Sequence, residues 1–80
     1  MKNTEKKIKK IISQHLGVEE KEIIASSSLI KDLNASSLEV DELISKLESI
    51  FQVNVSAEDT EEFLTVNDIV TFFSENIDDA

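Results

Sequence analysis

Eighty residues and 9.0 kDa make one small domain, below the ~100–150 residues at which independent cores are most common. Seventeen Asp and Glu against eight Lys leave a net charge of −9, which argues against a nucleic-acid binder, since such a protein needs a basic face. With no Cys there is no disulfide, thiolate nucleophile or Cys-ligated metal, and a single His (His15) argues against imidazole-rich metal sites and His-based triads.

No apolar run approaches the ~20 residues that span a bilayer, and the N-terminus lacks the apolar core of a signal peptide. A cytoplasmic, monomeric chain bound to neither membrane nor nucleic acid is therefore expected. The charge is uneven: residues 1–16 hold five Lys and one Glu, a balance of +4, while the rest carries −13.

The first helix is predicted from Asn3 or Thr4 to Leu16. At ~100° per residue Ile8, Ile11, Ile12 and Leu16 share one arc, with the Lys residues outside it. Gly17 is placed as its left-handed cap, and His15 lies on the apolar side as a core-edge residue without a chemical role. Residues 18–36 form a long connection whose Ile23, Ile24, Leu29, Ile30 and Leu33 are expected to pin it across the helices, with a helical turn inside it.

The second helix opens at a capping box, Ser36 at the N-cap and Glu39 at N3. Val40, Leu43, Ile44, Leu47, Ile50 and Phe51 form its apolar stripe, and Leu38 points the opposite way. Ser56 with Asp59 caps a short helix over residues 57–62, and Thr65 with Asp68 caps the last one, where Val66, Ile69, Val70, Phe72, Phe73 and Ile77 share a face. The expected class is all-α: three longer helices and one short one in a small bundle spanning 1–80.

The informative place is the entry to the second helix. Ser37 sits in its first turn, where free N–H groups and the positive dipole end favour a phosphate or phosphodiester on that hydroxyl. Next to it Leu38 is exposed on the outer face, with Asp41 and Glu42 around the leucine and Glu39 and Glu48 at the margins, a docking surface for a basic partner. The carboxylates elsewhere sit at solvated helix positions, not as the desolvated pair that acid–base catalysis needs, so no enzyme is expected.

The stretch Leu33-Asn34-Ala35-Ser36-Ser37-Leu38-Glu39-Val40-Asp41-Glu42-Leu43 resembles the Leu-Gly-Ala-Asp-Ser-Leu pattern and acidic helix of type II acyl carrier proteins. Ile11-Ile12, Leu16-Gly17-Val18, Asp32-Leu33 and Thr65-Val66 extend the resemblance over nearly the whole chain. It implies a four-helix carrier bundle, with Ser37 bearing 4′-phosphopantetheine attached by a separate phosphopantetheinyl transferase. The arm's thiol would then carry an acyl group as a thioester between enzymes of fatty-acid or related lipid or polyketide synthesis.

The resemblance also implies that Glu39, Asp41, Glu42, Glu48 and Leu38 meet basic patches on those enzymes. Leu43, Leu47, Phe51, Val55, Phe63 and Phe72 would line an acyl pocket, though each is equally fitted to ordinary core. The family's Gly and Asp are Asn34 and Ser36 here, and Asp41 replaces an apolar residue; Ser36 is a second candidate for modification. Two other readings stay open: a carrier of aminoacyl or peptidyl groups on the same arm, and an unmodified acidic adaptor.

Overall fold

In a computed structural model, residues 2–77 are described, with side chains from Asn3 onward. Four α-helices follow in order: α1 Lys2–Leu16, α2 Ser37–Phe51, α3 Ala57–Thr60 and α4 Val66–Asn76, with a 3-10 turn at Glu20–Glu22. There is no strand among the described residues, only an isolated bridge between Ser28 and Thr65. None of these helices is long and apolar enough to cross a membrane.

Local chemistry sets most of the boundaries. Gly17 takes φ of 71°, and its N–H and that of Val18 both donate to the Ser13 carbonyl, closing α1. Three complete capping boxes open α2, α3 and α4, from Ser36 with Glu39, Ser56 with Asp59 and Thr65 with Asp68. α1 starts one residue before the predicted Asn3. α3 stops at Thr60 instead of reaching Glu62, because Glu62 and Phe63 donate to carbonyls three residues back, a tighter final turn.

α1 packs on α4 and α2. Ile8, Ile12, Leu43, Leu47, Val66, Ile69 and Phe73 are the most deeply buried of the shared core. Phe73 stands at its aromatic centre, 5.8 Å from the Phe51 ring and 5.4 Å from Phe72. Removing a fully buried Phe of this kind costs about 3–5 kcal/mol, a large part of the stability of any small domain. Ile50, predicted on the α2 stripe, is exposed: it stands at the edge of the arc, where the helix turns to solvent.

The long connection is pinned, but by fewer side chains than predicted. Ile23, Leu29 and Leu33 are buried, whereas Ile24 and Ile30 are exposed. Backbone bonds do the remaining work. Leu29 N–H donates to the Leu64 carbonyl, Val66 to Ser27 and Asn67 to Ala25. Ser27, the one buried polar residue among those described, satisfies itself by accepting from Ile24 N–H and donating to the Glu22 carbonyl.

Candidate functional site

The candidate site begins with the cap that starts α2. Ser36 is extended (φ −82°, ψ 165°); its Oγ accepts from Glu39 N–H at 3.1 Å, and its own N–H donates to Glu39 Oε1 at 2.9 Å. The Ser36 carbonyl takes the Val40 N–H. That leaves the N–H groups of Ser37 and Leu38 without a protein partner among the described residues, at the positive end of a fifteen-residue helix.

Ser37 is exposed at the first helical position, and no hydrogen bond among the described residues engages its Oγ. The adjacent serines are thus not equivalent. Ser36 Oγ holds the cap, worth about 1 kcal/mol, while Ser37 Oγ is free beside two unpaired donors. A phosphodiester on Ser37 would lie where those donors and the dipole favour its negative charge. The residues present fit such a group.

Asn34 prepares this entry. It adopts φ of 62°, the left-handed region, immediately before buried Ala35, whose N–H donates to the Leu29 carbonyl. Asn is the residue best suited after Gly to that backbone, so the departure from the carrier pattern preserves the turn.

The predicted docking residues divide into two groups. Leu38 is 66% exposed, and Asp41 and Glu42 are exposed beside it. Glu42 Oε1 lies 4.0 Å from His15 Nε2 on α1, which places the half-buried histidine at the rim of the core. Glu39 and Glu48 are half-buried and already engaged: Glu39 in the capping box, Glu48 accepting Val55 N–H at 2.8 Å through Oε2. Glu48 therefore stitches the loop after α2, a role hidden from sequence because its partner is seven residues away.

The six residues expected to line an acyl pocket are divided between the core and two grooves among the described residues. Leu43 and Leu47 are fully buried core. Phe51 lines a shallow groove with Asn3, Thr4, Lys7 and Ile77, and the Lys7 ammonium lies 6.0 Å from its ring. Phe63 and Phe72 line a different groove, between α3 and α4. Val55 is half-buried against the core. All six pack as core or groove wall in this conformation.

Two apolar residues stand outward near this entry: Ile30, expected to pin the connection, is 53% exposed, and Leu64, which the sequence did not single out, is 67% exposed. Leu29 N–H binds the Leu64 carbonyl and Ala35 N–H binds the Leu29 carbonyl, so the two segments lie side by side on the approach to Ser37. Sequence periodicity carries no signal for either, since both lie outside helices.

A family model described as "Phosphopantetheine attachment site" matches residues 6–73. Among solved structures, a protein of Mycobacterium tuberculosis described as "a putative acyl carrier protein" superposes with a TM-score of 0.84 at 30% identity, over 90% of this chain and 96% of that one. The acyl carrier protein of Enterococcus faecalis superposes with a TM-score of 0.80 at 33% identity, over 94% of this chain and 95% of that one.

Proposed function

Because the chain belongs to the phosphopantetheine attachment-site family, a family of carriers that are not themselves catalysts, we propose that Ser37 is its point of attachment and acyl groups its cargo. The observation that carries this reading is the free, exposed Ser37 hydroxyl at the mouth of α2, next to a Ser36 hydroxyl held by the cap. Bound there, 4′-phosphopantetheine supplies a terminal thiol, and so thioester chemistry, to a chain without cysteine.

The residues of the chain have three tasks in this scheme. In the transferase reaction Ser37 Oγ would displace adenosine 3′,5′-bisphosphate from the pyrophosphate of coenzyme A, the serine proton leaving with that group, and so become the ester oxygen to phosphorus. The N–H groups of Ser37 and Leu38 hold the resulting negative charge. Leu38, Asp41 and Glu42 present an apolar contact ringed by acid to the transferase and to acyl-transferring enzymes with basic patches. Contacts of this kind speed encounter and leave dissociation easy, as a shuttle visiting several enzymes requires. The acyl reading, in fatty-acid or related lipid or polyketide synthesis, draws on the likeness to the Enterococcus faecalis acyl carrier protein and the Mycobacterium tuberculosis protein over 94% and 90% of this chain.

Intact-protein mass spectrometry after incubation with a phosphopantetheinyl transferase and coenzyme A tests the attachment. One phosphopantetheinyl group should be gained by the wild-type chain and by Ser36→Ala, and none by Ser37→Ala. No gain on wild type, or a gain that survives Ser37→Ala, overturns the proposal. In protein from its native host, the mass of the thioester-bound group separates acyl from aminoacyl cargo.

A further inference from the structure

A groove of about 280 Å³ lies between α3 and α4, remote from the Ser37 hydroxyl in sequence but joined to its surroundings by backbone. Its floor is aromatic: Phe63 is buried and Phe72 half-buried, their rings edge to face at 5.2 Å. Its rim carries four carboxylates, Asp59 and Glu62 from the α3 side and Asp68 and Glu75 from α4. Only Asn67 and Thr71 complete the lining, so no lysine of the described residues neutralises it.

We propose that this groove is a docking cleft for a basic segment of a partner protein, seating one Lys or Arg side chain on Phe63 and Phe72 between the carboxylates. Charge complementarity selects a cation, and the rings select one with an apolar stem or a flat guanidinium, which gains from the ring face as well as from the acids. A metal ion is a poor occupant, because no three of these acids converge to hold one among the described residues.

The rim is also partly fixed in place. Asp59 Oδ2 accepts Ser56 N–H at 3.2 Å, and Asp68 Oδ2 accepts Leu64 and Thr65 N–H at 3.0 and 2.9 Å. The caps thus orient two of the four charges before any partner arrives, while Glu62 and Glu75 are exposed.

Backbone hydrogen bonds link the cleft to the chain leading into α2. Asp68 binds Leu64 N–H, the Leu64 carbonyl binds Leu29 N–H, and the Leu29 carbonyl binds Ala35 N–H, two residues before Ser37. A partner that engages the cleft as well as Leu38, Asp41 and Glu42 gains a second point of attachment. Two points of attachment raise the effective concentration of each, and they fix orientation better than one acidic helix does. The cleft does not depend on modification of Ser37.

Amide NMR titration of the full chain with acetyl-Arg-Leu-Arg-amide at physiological salt tests the proposal, with the citrulline analogue and spermidine as parallel arms. Saturable shifts are expected at Glu62, Phe63, Asn67, Thr71 and Glu75, absent with the citrulline peptide and at least threefold weaker in affinity with spermidine. Glu62→Gln with Glu75→Gln should weaken the cleft at least threefold. Thr71→Lys, which places the chain's own cation in it, should abolish binding there. Both variants should leave the shifts at Asp41 and Glu42 intact.

Peptide shifts confined to α2, cleft affinity unmoved by either variant, or equal binding of spermidine would overturn it. Repeating the titration on Ser37→Ala keeps this result separate from the attachment experiment.

Discussion

Asn34 shows how much one dihedral angle decides here. Its φ of 62° is tolerated by Asn and refused by β-branched residues, for which the left-handed region costs roughly 1–2 kcal/mol. Asn34→Val should therefore lower stability by about that amount and Asn34→Gly should hold or slightly raise it, as urea denaturation of the two variants will read. Ser36 poses the complementary question. Its oxygen does the capping that an Asp would do, without the charge. Ser36→Asp should keep the fold within about 0.5 kcal/mol, since both residues are good N-caps. It should also speed modification of Ser37 several-fold, a change visible in a time course of transferase labelling; an unchanged rate would show that the charge is dispensable.

At the scale of elements, what could be read from sequence was what is local. The three capping boxes involve residues three apart, so Ser36–Glu39, Ser56–Asp59 and Thr65–Asp68 were legible in full, as was the outward Leu38. What was not legible depends on distant partners: Glu48 is taken by Val55, Ile24 and Ile30 turn outward because backbone bonds to residues 64–67 hold the connection, and Phe63 and Phe72 face a groove separate from Phe51.

The end of α2 was hidden for another reason. Gln52 closes it at φ 56°, ψ 47°, a conformation usually announced by Gly. Gln52→Gly should remove that strain and raise stability by up to about 1 kcal/mol, shifting the urea midpoint upward without changing the slope.

For the molecule as a whole, the governing quantity is the net charge of −9 on a chain of eighty residues. Only two Lys–carboxylate pairs occur among the described residues, Lys9 with Glu5 and Lys21 with Glu19, both at 3.4 Å and too exposed to offset the excess. Self-repulsion of this kind is screened by salt. The melting temperature should rise by about 4–8 °C between low and physiological ionic strength, the equivalent of about 1 kcal/mol for a domain of this size. A flat response in differential scanning calorimetry would show that the lysines of α1 already balance the field.

The stitching of the long connection to the start of α4 has a consequence for digestion by trypsin. Lys31 is exposed, yet it lies in a turn where Asp32 and Leu33 N–H both donate to the Ser28 carbonyl, and residue 28 is itself bridged to Thr65. A protease must straighten the chain there to cut it, so scission should wait for these bonds and the bundle they join to open. Nicking after Lys31 would then follow the population of opened molecules, slower in a stabilised variant and faster in a weakened one.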